Sequence, residues 1–262
     1  MKLATFRTAS FDQPLGGVVE GEHVRVFAEG ADAVRDVLAG TRGTDANLGR
    51  FALAEVTLLA PVPHPGTIFA IGLNYADHIA EMGHEPPQWP TVFVKVTSSV
   101  APPGGPIVKP EVVQRLDYEG ELMVVIGAGG QVAGYCVADD VTGRDLQKRE
   151  PQWVRGKGAD TFCPFGPWLT TADEVPEPGK LELRTWVNGE LRQHSNTSNL
   201  VFGIGALTAF ISETCTLRPG DLILTGTPGG VGQGMDPPRY LQSGDTIRIE
   251  IDSLGAIEHQ VA

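Results

Sequence analysis

The chain has 262 residues, 41% of them hydrophobic, and carries 20 basic against 32 acidic residues for a net charge of −12. That length accommodates one large domain, or a small domain beside a main one, with apolar residues enough for a sizeable core. The acidic excess and the lack of any Lys/Arg run exclude a general nucleic-acid surface, which needs clustered cations.

Residues 1–60 alternate short strand-like pieces with one helix-like run, "ADAVRDVLAG". The opening "MKLATFRTASFDQP" has no apolar core and no cleavage signal, so no secretory peptide is expected. A Pro-rich connector, "APVPHPG" at 60–66, places a boundary between a small N-terminal domain, 1–60, and a main domain, 61–262. In "IFAIGLNYADHIAEMG" an apolar strand leads through Gly72 into a short helix closed by Gly83. "LDYEGELMVVIG" at 116–127 reads as a strand with apolar residues on both faces, hence covered on both sides. Leu122 to Ala138 is uncharged but broken by Gly127, Gly129, Gly130 and Gly134, which predicts strand, turn and strand, not a membrane span. Two more helices are expected, in "VTGRDLQKRE", ended by Pro151, and in "NLVFGIGALTAFIS". Asn188-Gly189 signals a hairpin, and "PGDLILTGTP" and "SGDTIRIEID" each set a turn before a strand. With 33 Gly and 20 Pro the main domain reads as strand-rich, giving a mixed, mainly β protein. Cys136, Cys163 and Cys215 are widely spaced and form no CxxC pair, as expected of reduced thiols in a cytoplasmic protein.

No GxGxxG, GxxxxGK[ST] or GxSxG occurs, so a dinucleotide fingerprint, a P-loop and a nucleophile elbow are all unsupported. "HEPPQ" at 84–88 lacks the second His of a zinc-protease helix. What the sequence does offer is oxygen ligands. Alternation puts Glu119 and Glu121 on one face of their strand, where two carboxylates about 6–7 Å apart repel by about 2–3 kcal/mol at an effective dielectric near 20. Asp140 is the next candidate, and Arg144 and Gln147 follow on one face of a helix beginning there. Three carboxylates with no Cys nearby and no His at ligand spacing favour a hard cation. Mg²⁺ fits, because it keeps waters that a substrate can displace. The alternative is ion pairing of the glutamates with Arg115 or Arg144.

His78 and Glu81 stand three apart on a short helix, so the carboxylate can hold the imidazole in one tautomer, a general-base arrangement. Lys157, flanked by glycines in "VRGKGADTF", is either a ligand contact or a solvated turn lysine. "TPGGVGQG" at 227–234 either wraps an anion or is a plain glycine-rich turn.

Taken in order, "GLNYADHIAEMG", "PTVFVKVTSSV", "LDYEGELMVVIG", "GRDLQ", "QWVRGKGADTFCPFGPW", "VNGELRQHSNTSNLVF" and "LRPGDLILTGTPGGVG" resemble the fumarylacetoacetate hydrolase family from about Ile68 to Leu254. The resemblance implies a β-roll catalytic domain behind a small α+β N-terminal domain, a homodimer, and Mg²⁺ or Mn²⁺ at the mouth of the roll. By motif position Glu119, Glu121 and Asp140 would ligate the metal, and His78 and Glu81 would form a catalytic dyad on a segment that closes as a lid in several members. Lys157 would join catalysis, while Arg144, Gln147, Thr227 and Lys95 would contact a small 2-oxo acid. Ile71 stands where longer fumarylacetoacetases add a carboxylate, which favours the shorter branch of acylpyruvases, oxaloacetate decarboxylases and 2-hydroxyhepta-2,4-diene-1,7-dioate isomerases. Asp139 stands where many relatives have Asn, placing an additional negative charge beside the site. The leading expectation is a metal-dependent hydrolase that cleaves a C–C bond of an acylpyruvate or related β-diketo acid through a metal-stabilised enolate, with a His/Glu-activated water. A decarboxylase or isomerase of a 2-oxo dicarboxylic acid in aromatic catabolism is the alternative, and a non-catalytic metal or keto-acid binder is the reading from another class.

Overall fold

The computed structural model describes residues 1–262 and is mainly β. One large sheet runs in the order Gly49–Ala52, His23–Glu29, Leu15–Glu20, Lys2–Arg7, Cys163–Thr171, Val132–Asp139, Gly120–Ile126, Leu222–Leu224, Ile68–Gly72 and Thr91–Lys95. A four-stranded antiparallel sheet follows the order Glu190–Asn196, Glu182–Val187, Thr246–Ile251 and Gly255–Gln260.

Both faces of Gly120–Ile126 are covered, as its composition predicts. Leu122, Val124 and Ile126 share a core with Leu183, Ile247, Ile249 and Ile251 of the four-stranded sheet. Met123 and Val125 point the other way, into a second core with Val34 and Leu38 of the helix Ala33–Leu38. Each such side chain, fully buried, contributes about 1.5–3 kcal/mol, so this strand anchors both layers.

The region 1–60 is distinct in sequence but continuous in space. Lys2 and Leu3 pair with Thr170 and Leu169, so its strands extend the large sheet. Leu3, Val18 and Phe27 share a core with Met123, Cys136 and Phe165. The edge of Cys163–Thr171 would otherwise leave backbone donors and acceptors unpaired, and Lys2–Arg7 covers it.

The helices fall where the sequence places them, at Ala76–Glu81, Arg144–Arg149 and Ile204–Ser212, with a further short one at Val154–Lys157. Asn188 and Gly189 both take positive φ, 52° and 78°, in the expected hairpin turn. No helix is long and apolar enough to cross a membrane.

One expectation needs correction. The segment 116–127 is not a single strand: Leu116–Asp117 pairs with Thr142–Gly143 in a separate two-stranded sheet, and the chain then crosses to the large sheet at Gly120. A Cβ on Gly120 would lie 2.4 Å from Thr185 Oγ1, so a side chain there would block the crossover against the four-stranded sheet. The break leaves Tyr118 and Glu119 outside the ladder. In compensation the Glu119 N–H donates to Asp139 Oδ1 at 2.8 Å, and its carbonyl accepts the Asp140 N–H at 2.9 Å. That exchange sets Glu119 and Asp140 side by side.

Candidate active site

Glu119 and Glu121 reach the site from the broken strand, and Asp140 from the end of Val132–Asp139. One carboxylate oxygen from each lies within 4.8 Å of the others, and all three residues are buried. At that spacing each like-charged pair repels by about 3–4 kcal/mol at an effective dielectric near 20, so the cluster needs positive charge.

Part of that charge is in the chain. Lys157 Nζ lies 2.5 Å from Glu119 Oε2 and 2.6 Å from Asp140 Oδ2. Arg144 Nη2 lies 2.6 Å from Glu119 Oε1, while its Nε donates to Asp117 Oδ2 at 2.8 Å. Burial pushes the Glu119 carboxyl up, but Arg144 and Lys157 outweigh it and hold the group below the usual carboxylate range. Glu121 has no such partner. Its only donor is the Gly226 N–H at 2.7 Å, and burial, Asp140 and Glu119 together push its carboxyl well above the usual range. The Lys157 ammonium shows the opposite balance: burial lowers it, and Asp140 and Glu119 raise it further.

These residues fit a hard divalent cation. The donor set is all oxygen and contains a carboxylate that no cationic side chain neutralises, facing two others. Arg144 does pair with Glu119, so ion pairing and the carboxylate cluster coexist; Arg115 pairs with neither glutamate.

His78 sits on Ala76–Glu81, largely buried, with Nδ1 3.3 Å from Glu81 Oε2. That contact leaves Nε2 free for chemistry. His78, Glu119, Glu121, Arg144, Gln147, Lys157 and Thr227 line one cavity of about 610 Å³, walled by Phe93, Trp153 and Ile71. The Gln147 Oε1 accepts from Arg144 Nη1 at 3.1 Å, which fixes the guanidinium relative to the cavity. Thr227 spends its hydroxyl on the Gly120 carbonyl at 3.0 Å and accepts from Gln193.

Two expected roles change place. Lys95 does not line the cavity. Its buried ammonium is bonded to Asp140 Oδ1 and the Lys157 carbonyl, so it supports the Asp140 carboxylate from behind and has no free face for a substrate. Asp139 does not line the cavity either. Its Oδ2 lies 2.9 Å from His259 Nε2, and both side chains are fully buried.

The glycine-rich run does wrap anions, but they are the protein's own. Backbone N–H groups of Gly226, Gly229, Gly230, Gly232 and Gln233 donate to Glu121, Asp77, Glu81 and Asp117. Gly230 adopts φ 98°, and a Cβ on Gly234 would lie 2.5 Å from the Glu81 carboxyl carbon, so glycine is needed at both. Asp117 and Asp77 therefore belong to the site's frame, and spacing alone gave no signal for either.

Residues 67–262 match the model of the fumarylacetoacetate (FAA) hydrolase C-terminal family. The chain is 44% identical to the oxaloacetate tautomerase YisK of Bacillus subtilis, over 93% of this chain and 87% of that one. Among solved structures, the fumarylacetoacetate hydrolase of Exiguobacterium antarcticum superposes with TM-score 0.89 at 38% identity, covering 100% of this chain and 99% of that one. The maleylpyruvate hydrolase of Sphingobium sp. SYK-6, solved with manganese(II) and pyruvate, superposes with TM-score 0.78 at 33% identity over 100% and 99% of the two chains. The fold is that of an enzyme, and its buried carboxylate triad has the donor set that suits a divalent cation. The chain belongs to the fumarylacetoacetate hydrolase family.

Proposed function

We propose that the protein is a Mg²⁺- or Mn²⁺-dependent enzyme that forms the enolate of a 2-oxo acid, and that its reaction is the keto–enol interconversion of oxaloacetate or a close analogue. The observation that carries this reading is the shared cavity: His78, backed by Glu81, lines the same space as Glu119 and Glu121, whose carboxylates cluster with that of Asp140. The tautomerase relative, 44% identical, supports the choice of reaction.

Glu119, Glu121 and Asp140 would hold the cation, which would supply Lewis-acid stabilisation of the negative charge that develops on the keto oxygen of the 2-oxo acid. His78 Nε2, left free by the Nδ1–Glu81 contact, removes a proton from the carbon next to the keto group and returns it to the enolate oxygen. Arg144 and Gln147 orient the substrate carboxylate. Lys157 adds positive charge beside the developing oxyanion.

A second reading, C–C bond hydrolysis of an acylpyruvate, is favoured by the maleylpyruvate hydrolase neighbour. There His78 would deprotonate a water that attacks the distal carbonyl and expels the enolate of pyruvate. The test is a panel of oxaloacetate, acylpyruvates and a hydroxydienedioate, assayed with Mg²⁺, with Mn²⁺ and with chelator. Acceleration of oxaloacetate enol loss, abolished by chelator, is the expected result. Turnover of acylpyruvate alone would select the hydrolase, and turnover of nothing would leave a binder.

We also propose that the protein is a homodimer. Val92 and Val94 on the edge strand Thr91–Lys95, together with Val96 beyond it, are exposed at 38%, 39% and 40%, an apolar edge suited to burial.

A further inference from the structure

The cavity opens on two cations that the machinery at its floor leaves unused. Lys148 follows Arg144 by four residues on Arg144–Arg149, so both leave one face, with Lys148 about 6 Å farther along the axis. Arg144 is buried, Gln147 half-buried and Lys148 exposed, which makes a polar stripe from floor to mouth. Arg115, exposed, lines the same cavity from the segment beside this helix. Its carbonyl accepts the Arg144 N–H at 2.9 Å, and its guanidinium carbon lies 5.9 Å from the centroid of the Tyr240 ring. Arg115, Lys148 and Tyr240 all line the cavity.

The other two Lys/Arg side chains lining the cavity are committed: Arg144 to Asp117 and Glu119, Lys157 to Glu119 and Asp140. Arg115 and Lys148 have no carboxylate within ion-pairing distance, although the chain holds 32 acidic residues against 20 basic ones. Two unpaired cations at the mouth of a cavity whose floor takes a 2-oxo acid define a second anion position.

We propose that Arg115 and Lys148 bind a second carboxylate and so select 2-oxo dicarboxylates over 2-oxo monocarboxylates. The proposal rests on the reading of the floor as a 2-oxo acid site. The head group occupies the triad, Arg144 and Gln147, and the chain runs outward past Phe93 and Trp153. The distal carboxylate meets the guanidinium and ammonium at the rim, where Tyr240 holds Arg115 in place through cation–π contact.

The test compares calorimetric titrations of the Mg²⁺-loaded protein with 2-oxoglutarate and with 2-oxopentanoate, which has the same carbon count but lacks the second carboxylate. Arg115→Gln, Lys148→Gln and the double variant are titrated alongside. Both residues are exposed, so the variants are expected to fold. The wild type should bind the diacid roughly 10–100-fold more tightly, the range of a charge-assisted hydrogen bond, and the double variant should lose that margin. Affinity for the monoacid should stay within about twofold of wild type, because the floor is untouched. Equal affinity of the wild type for the two acids, or a margin that survives the double variant, overturns the rim assignment while the floor reading stands. Binding of neither acid overturns the floor reading and the rim assignment with it.

Discussion

His259 Nε2 lies 2.9 Å from Asp139 Oδ2, and the two fully buried side chains tie the last strand of the four-stranded sheet to the segment that bears Asp140. The other Asp139 oxygen holds the Glu119 N–H. His259→Leu should therefore cost about 3–5 kcal/mol, the penalty for stranding a buried carboxylate. Asp139→Asn should cost far less, because its amide can still accept from Glu119 and donate to His259. Urea unfolding of both variants checks this, and equal losses would refute it.

The carboxylate cluster carries a pH signature. Glu121 has its carboxyl raised well above the usual range, chiefly by burial, then by Asp140 and Glu119. A carboxyl raised in the folded state contributes stability below its unfolded value and loses it as pH rises through the folded one. In chelator, the wild type should thus lose stability relative to Glu121→Gln between acidic and alkaline pH. Adding Mg²⁺ should reverse the loss and release a proton, so apparent Mg²⁺ affinity falls as pH falls. Melting curves of the two proteins across pH, with and without Mg²⁺, give the answer.

Glu119→Gln removes a ligand and one partner each of Arg144 and Lys157. Mg²⁺ affinity should drop by at least tenfold and activity should nearly vanish, while the fold persists because an amide oxygen remains as acceptor. Calorimetry showing unchanged Mg²⁺ binding would remove Glu119 from the ligand set.

His78→Ala should lower proton-transfer chemistry, whether tautomerisation or hydrolysis, by roughly 10²–10⁴-fold, with Mg²⁺ affinity unchanged. Oxaloacetate decarboxylation, which needs no base, should fall much less. Glu81→Gln should give a milder loss, since it weakens the base without removing it. Equal losses in all reactions would assign His78 to substrate binding.

Thiol chemistry offers a check on the fold itself. Burial pushes the Cys163 thiol up to about 12 and raises Cys136 further, whereas Cys215 is exposed. A raised thiol value lowers the reactive thiolate fraction at any given pH. A disulfide reagent at pH 8 should therefore titrate one thiol in the native protein and three after denaturation.

The proposed homodimer can be tested by sedimentation, where a mass of 27.9 kDa at micromolar concentration would contradict it. Val94→Lys should shift the equilibrium toward monomer if the edge strand Thr91–Lys95 lies in the interface.

Local chemistry made much of this legible in the sequence. Gly83 and the Asn188-Gly189 pair announce a helix end and a hairpin through backbone conformations that few residues adopt. The two-faced apolar pattern around Met123 and Val124 announces a doubly covered strand. Tertiary pairing stayed hidden. Nothing in the spacing shows that Lys2 joins Thr170, that Lys95 backs Asp140, or that His259 meets Asp139 across 120 residues. The crossover at Gly120 was equally silent, since a glycine between two glutamates reads the same in a regular strand and in a broken one.

The glycine-rich run at 226–234 has a consequence for how the protein folds. Its five N–H donors serve carboxylates at positions 77, 81, 117 and 121, contacts that span 105 to 152 residues. Contacts of such long range form only after large loops have closed, a slow step with little local reward before it. The four carboxylates must therefore wait for a stretch of chain that emerges more than 100 residues after them. A nascent chain ending before this run would hold Glu121 with no donor at all.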